Sequence, residues 1–258
     1  MQVGLIGAGN MARALARGWG DPVLCSDAGS GRAKALVEEL GGEAFDSNLP
    51  VAQRADLVVL CHKPAQLERV AAEIAGTVKA VASVLGGTPV GKVQVAYPGV
   101  PVFGLIPNTP VEVRRGVTCL AVPRRLAQHP APPPELEREV VALFERLGTV
   151  VRIDEDRIEA ATAVTGVGPA YQALLAEAQV DAAVRHGLGA PLAGRLVAQT
   201  MAGTAALLEA RGHDTLAVRR EVTSPGGSTA RGLLALERGG VRAAFQDAAD
   251  AVICGSRG

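Results

Sequence analysis

"VGLIGAGNMARALARG", residues 3–18, decides the fold. An apolar run ends in Gly7-x-Gly9-x-x-Ala12, and helical spacing begins directly after it. In a strand–turn–helix of this kind the first glycine permits the tight turn and the second lets the backbone approach a pyrophosphate. The third small residue lets the helix pack closely on the sheet. The bare N–H groups and the dipole at the helix start stabilise the anion. A glycine pattern alone is a weak sign. Placed between a strand and a helix, it is a dinucleotide-binding signature.

Outward from this stretch, residues 1–125 alternate short apolar runs with helix-like segments. The expected strands are "QVGLIGA", "PVLCSD", "ADLVVLCHK", "KAVASVL", "VPVFGLIP" and "GVTCLAV". Residues 10–19 and 32–40 carry helical spacing, and Gly41-Gly42 stops the second of these after Leu40. Such alternation predicts an α/β, Rossmann-type, doubly wound and mostly parallel sheet. A proline-rich connector, "QHPAPPPELE" (128–137), leads into a helix over about 135–147, and "GTVVRIDED" (148–156) supplies one more strand with an acidic cap. From about Asp156 no strand signal remains. Four or five helices are expected there, broken at "TGVGP", "HGLGAP", "RGHDT", "TSPGG" and "GG". The expected division is a dinucleotide-binding domain over 1–153 and an all-α domain over 154–258. The helices near 169–186 and 191–210 are rich in alanine, valine and leucine, so most of their surface has to be buried. A bundle of ~100 residues has little interior, and a second subunit is expected to cover them.

Composition narrows the function. The chain has 258 residues, 48% of them hydrophobic and 20% charged, with a net charge of zero, as in an ordinary globular protein. Zero net charge and 3% aromatic residues argue against nucleic acid, which wants a basic face and stacking platforms. Arg114-Arg115 and Arg124-Arg125 are too short to suggest a polyanion partner and are assigned to solvated surface. The first strand starts almost at Met1, so no signal peptide is expected, and no apolar run is long enough for a membrane span. Cys25, Cys61, Cys119 and Cys254 lie far apart and fit reduced thiols of a cytoplasmic protein. His62, His129, His186 and His213 show no ligand spacing, so no metal is expected.

The cofactor cues conflict. Asp27 ends the second strand, where a carboxylate would hydrogen-bond the adenosine ribose and repel a 2'-phosphate, favouring NADH. Ser26, Ser30 and Arg32, in the same loop, could instead hold that phosphate. The choice between NADPH and NADH stays open, with a lean to NADPH. "LCHKPAQLE" (60–68) places Lys63 and Pro64 at a strand end where ligand-facing loops lie, although Lys63 also suits a plain loop. His62 is assigned no role. "PNTPVEV" (107–113) sets Asn108 and Thr109 between two prolines in a rigid turn that could face the nicotinamide side.

"EVTSPGGSTARGLLALERGG" (221–240) raises a different question. Ser224-Pro225 suits an N-cap and first turn, yet Gly226 and Gly227 follow, each costing about 1 kcal/mol inside a helix. A close approach to the backbone would explain them. No lysine occurs after Lys92, and no His-Asp or His-Glu pair accompanies the glycine motifs. A hydride-transfer enzyme with this inventory suits a C=N bond, which is electrophilic once protonated, better than a ketone that needs a proton donor.

In these blocks the chain resembles the pyrroline-5-carboxylate reductase family. The likeness rests on "GLIGAGNMA" at the start, "KP" at 63–64, "PNTP" at 107–110 and "GVGPAY" at 166–171. It continues through "GL" at 187–188, "AQT" at 198–200, "TSPGGST" at 223–229 and "LERGGVR" at 236–242. The resemblance implies a helical dimerisation domain after the Rossmann domain, a homodimer or a higher oligomer of dimers, and reduction of a cyclic imine carboxylate, 1-pyrroline-5-carboxylate, to L-proline. NADPH or NADH would serve this last step of proline biosynthesis. It also implies that Ser224 and the amides of Gly226 and Gly227 grip the substrate carboxylate. Thr229, the catalytic candidate, would hydrogen-bond the ring nitrogen. Gly7, Gly9, Asn10, Met11 and Ser26 would hold the cofactor, together with Asp27, Arg32, Lys63, Pro64 and Asn108. Two departures from the family pattern stand near these positions. Thr165-Gly166-Val167-Gly168-Pro169-Ala170 replaces the usual S-G-S-G-P-A, losing a hydroxyl at Val167, and "SVLGG" (83–87) lacks the usual Ala-Ala-Gly. They keep two alternatives open: a reductase of a related cyclic imine acid, and a diverged nucleotide-binding paralogue without turnover.

Overall fold

Eight short runs of apolar and β-branched residues pair into one sheet in the computed structural model, which describes residues 1–123 and 131–255. Arg124, Arg125, His129 and most of the proline-rich connector's approach lie outside the described residues, as does the side chain of Cys254. The strands are β1 (Val3–Ile6), β2 (Val23–Ser26), β3 (Gly42–Phe45), β4 (Leu57–Leu60), β5 (Val81–Ser83), β6 (Val102–Pro107), β7 (Gly116–Val122) and β8 (Gly148–Asp154). Their spatial order is β3-β2-β1-β4-β5-β6-β7-β8. Neighbours are parallel except β6 and β7, so β7 and β8 run against the other six. The sheet is Rossmann-type and mostly parallel. The order reverses between β1 and β4, which is where a doubly wound sheet opens a crevice at its carboxyl ends.

Helices α1 (Asn10–Trp19), α2 (Arg32–Leu40) and α6 (Pro134–Glu145) pack on one face, while α3 (Asn48–Arg54), α4 (Leu67–Ile74) and α5 (Val90–Ala96) pack on the other. Side chains of β1 alternate between them: Leu5 joins the cluster with Leu15 and Trp19, and Ile6 the one with Val51 and Leu67. Trp19 ties α1 to α6. Its indole N–H donates to the Leu143 carbonyl at 3.0 Å, and its ring meets Phe144 edge-on with centroids 5.5 Å apart. This satisfies the one polar atom of the largest buried side chain.

Strand β3 was not expected. It lies at the sheet edge with Gly42 and Glu43 exposed and Ala44 and Phe45 half-buried, so no apolar run marks it. Past β8, α7 (Ile158–Thr165) buries Ala163 and packs on β7 and β8. By backbone contacts the chain divides into two compact units, Met1–Pro169 and Ala170–Gly258.

The second unit is all helical: α8 (Gly168–Arg185, entered from the first unit), α9 (Ala190–Ala210), α10 (Thr215–Glu221), α11 (Ser228–Arg238) and α12 (Val241–Gly255). With α7 this makes six helices after Asp156 among the described residues where four or five were expected, because each of the five glycine-rich breaks does interrupt a helix. Asp214 caps α10 by accepting the Ala217 N–H at 2.9 Å, and Tyr171 meets Phe245 edge-on. Within one chain α8 buries no residue and α9 only Ala193. Leu174, Leu192 and Leu196 stand exposed. No helix among the described residues is long and apolar enough to cross a membrane.

Candidate active site

The β1–α1 turn is built by backbone packing. Gly7 has φ +99°, and a Cβ there would lie 2.8 Å from the backbone of Cys61 and His62. Its N–H donates to the Ser26 carbonyl at 2.8 Å, and the Cys61 N–H donates to the Ile6 carbonyl at 2.8 Å. The ends of β1, β2 and β4 are thus locked together. Gly9 differs. It starts α1 with φ −74°, which any residue adopts, and apart from its own chain neighbours no protein atom lies within 4 Å of the position its Cβ would take. Nothing in the fold requires a glycine at Gly9. A backbone open on this side leaves room for a ligand to approach.

That empty flank belongs to a cleft of about 980 Å³ at the carboxyl ends of β1, β2 and β4, the point where the strand order reverses. Gly7, Gly9, Asn10 and Met11 line it from the first loop. Asp27 and Arg32 line it after β2, and Lys63 and Pro64 after β4. The structure therefore brings eight of the ten sequence-derived cofactor residues together. It does not bring in Ser26 or Asn108. Ser26 is fully buried and donates to Asn48 Oδ1 at 2.8 Å. Asn108 is buried as well: its Oδ1 accepts the Val117 N–H at 2.8 Å, and its Nδ2 donates to the Thr165 carbonyl at 3.2 Å.

Further residues line the cleft that sequence reasoning did not assign to it, among them Asn48, His62, Arg69 and Glu73. Asn48 donates to the Glu73 carboxylate at 2.5 Å, and Arg69 pairs with the same carboxylate at 3.2 Å. They come from the first residue of α3 and from α4, and no local signal connects them. His62 also lines the cleft. Its Nδ1 lies 2.9 Å from the Lys63 carbonyl, and its buried Nε2 has no hydrogen-bond partner. Burial pulls the His62 pKa below its ordinary value, so the imidazole is neutral at neutral pH.

The thiol that lines the cleft, Cys61, is held protonated. Burial pushes the Cys61 thiol far up, and it raises neighbouring Cys25 to about 12. Among the described residues Cys25, Cys61 and Cys119 are free thiols, and no group of three His, Cys, Asp or Glu could hold a metal. Asp27 is held ionised. Burial raises its pKa, but the hydrogen bonds from the Ser30 hydroxyl and from amides of its own loop outweigh that and set it below the usual value.

In the second unit, helix α11 begins at Ser228 and not at the expected Ser224-Pro225. Ser224 to Gly227 form a turn instead. The Gly227 N–H donates to the Ser224 carbonyl at 3.1 Å, with Pro225 and Gly226 (φ +69°) at the two central positions, the residues a type II turn prefers. A Cβ on Gly227 would press on the Ser224 hydroxyl and carbonyl. The chain's own turn thus accounts for both glycines. The first helical bond of α11 is from the Arg231 N–H to the Gly227 carbonyl, so the N–H groups of Ser228, Thr229 and Ala230 have no acceptor within the helix. Arg231 also folds back, donating from Nη1 to the Gly226 carbonyl at 2.7 Å.

Comparison with known proteins places this architecture. The family model "Pyrroline-5-carboxylate reductase dimerisation" matches residues 155–257. "NADP oxidoreductase coenzyme F420-dependent" matches residues 2–86. A pyrroline-5-carboxylate reductase of Synechocystis is 32% identical over 96% of this chain and 94% of its own. One from Mycobacterium tuberculosis is 40% identical over 77% of this chain and 75% of its own. The chain belongs to the pyrroline-5-carboxylate reductase family. A crystal structure of the Plasmodium falciparum pyrroline carboxylate reductase with NADP bound superposes with a TM-score of 0.86 at 26% identity, covering 99% of this chain and 97% of that one. As a member of the pyrroline-5-carboxylate reductase family, the chain is an NAD(P)-dependent oxidoreductase.

Proposed function

We propose that the chain reduces 1-pyrroline-5-carboxylate to L-proline with NAD(P)H as the last step of proline biosynthesis. The observation that carries this reading is the match to pyrroline-5-carboxylate reductases across both compact units, not the nucleotide-binding half alone. The residue inventory agrees with it. A cyclic imine protonated on nitrogen needs no protein acid to become electrophilic, and the chain has no lysine after Lys92.

The bound dinucleotide supplies the hydride. Gly7, Gly9, Asn10 and Met11 would hold its pyrophosphate through backbone N–H groups and the start of α1. Lys63 and Pro64 would flank it from the β4 end. The substrate carboxylate is assigned to the start of α11, where the free N–H groups of Ser228, Thr229 and Ala230 join the Ser224 hydroxyl. Gly226 and Gly227 shape that turn. The Thr229 hydroxyl would hydrogen-bond the ring nitrogen and hold the imine carbon in place, so most of the rate would come from positioning. The exposed faces of α8 and α9 would be covered by a second copy, giving a homodimer or a higher oligomer of dimers, in the cytoplasm.

The test is an assay of the purified protein with 1-pyrroline-5-carboxylate and each reduced nucleotide, following cofactor oxidation and proline formation. Equal amounts of both products support the reading. No oxidation at millimolar substrate would overturn it. A second reading, a reductase of a related cyclic imine acid, is favoured by Val167, which stands where the family usually carries a serine. A panel of cyclic imine acids of different ring size separates the two.

A further inference from the structure

Asp27 occupies the position at which an acidic residue in a nucleotide-binding sheet commonly accepts the adenosine ribose hydroxyls. An ionised carboxylate offers about four acceptor positions. Here Oδ1 accepts the Gly29 and Ser30 N–H groups, both at 3.0 Å, and Oδ2 accepts the Ser30 hydroxyl at 2.7 Å and the Ala33 N–H at 2.9 Å. All four positions serve the residue's own loop. The last of these bonds also caps α2, whose N-cap residue, Gly31, has no side chain to do so. Accepting a ribose diol would mean breaking bonds that hold the loop in shape.

Arg32 is placed otherwise. It is the first residue of α2, exposed, and lines the same cleft. Among the described residues its guanidinium has no ion pair and no side-chain hydrogen bond. The Glu73 carboxylate in that cleft is already held by Arg69 and Asn48. The cleft is therefore lined both by an unengaged guanidinium and by a carboxylate whose acceptor capacity is used up.

We propose that the chain selects the dinucleotide bearing a 2'-phosphate, with Arg32 as the residue that recognises the phosphate and Asp27 as the residue that shapes the loop. A planar guanidinium forms paired, charge-assisted bonds to a phosphate, and the Asp27 charge that would repel it is offset by the four loop donors bonded to that carboxylate. This inference rests on the dinucleotide reading above and adds which nucleotide is chosen and by which side chain.

Calorimetric titration without substrate tests it, using NADPH, NADH, and adenosine 5'-phosphate with and without the 2'-phosphate. A charge-assisted bond of this kind predicts that the 2'-phosphorylated member of each pair binds about tenfold or more tighter. Arg32→Gln should abolish most of that difference while leaving NADH affinity within about twofold of the parent. Added salt should weaken NADPH more than NADH in the parent and weaken both alike in Arg32→Gln. Asp27→Asn keeps an acceptor for two of the four loop bonds, so it should lower Tm and weaken both nucleotides together. If Asp27→Asn does not fold, that is the scaffold role in full, and Arg32→Gln carries the remaining test. The proposal is overturned by a parent protein that binds NADH as tightly as NADPH, by Arg32→Gln weakening both alike, or by Asp27→Asn weakening NADH alone. Equal binding with continued turnover removes this inference only, whereas failure to bind any nucleotide removes the reductase reading with it.

Discussion

Gly7 and Gly9 are two residues apart in one loop, and alanine at each should do opposite things. At Gly7 the new Cβ would meet the Cys61 and His62 backbone at 2.8 Å, and φ is +99°. A side chain held in that backbone region costs about 1–3 kcal/mol, and forcing it against main chain adds about 1–3 kcal/mol more. For a unit of this size, a loss of about 2–6 kcal/mol lowers Tm by on the order of 10 °C. At Gly9 the Cβ meets nothing within 4 Å apart from its own chain neighbours, and φ is ordinary. The weaker N-cap of alanine costs roughly 0.5–1 kcal/mol, offset by a similar reduction in unfolded-chain entropy, so Tm should move by no more than about 3 °C. The same methyl group would occupy the place assigned to the pyrophosphate. Intrusion of about 1–3 kcal/mol corresponds to roughly 5- to 150-fold weaker binding. Differential scanning fluorimetry gives the first quantity and calorimetric titration with NADPH the second. A Gly9→Ala protein with parental Tm and parental affinity would refute the argument that a ligand explains this glycine.

Thr229→Ala should lower kcat for the imine substantially while the nucleotide Kd stays within about twofold; equal losses in both would move Thr229 out of the substrate site. Trp19→Ala empties the buried seat between α1 and α6 and should cost about 3–5 kcal/mol in chemical denaturation, with Trp19→Phe losing less. His62 gives a pH signature. Burial holds its pKa below the unfolded value of 6.5, so the unfolded chain binds the proton first and stability falls as pH drops through the unfolded value. His62→Gln should flatten that slope in Tm measured from pH 8 to about pH 5, and an unchanged slope would assign the acid sensitivity elsewhere.

The parts of the fold that were legible are those in which one residue type has one physical use. Gly7-x-Gly9-x-x-Ala12 after an apolar run is such a case, and so are the glycine breaks between helices after Asp156. Strand β3 was not legible because an edge strand with Gly42 and Glu43 exposed carries no apolar signature. Ser224-Pro225 misled for another reason. The pair suits a helix N-cap and also the opening of a type II turn, and only the left-handed Gly226 decides between them. Asn48 and Glu73 are 25 residues apart and meet only because α3 and α4 pack side by side. Asn108 looked like a ligand donor because amides in rigid turns often are; its Oδ1 and Nδ2 instead brace Val117 and Thr165.

Helix α8 fully buries none of its residues within a single chain, and α9 only Ala193. If pairing with a second copy supplies the missing burial, resistance to heat is no longer an attribute of one molecule. It follows the law of mass action, so a dilute sample should melt earlier than a concentrated one. A newly made chain would then be at its most vulnerable to proteases before it has met its mate.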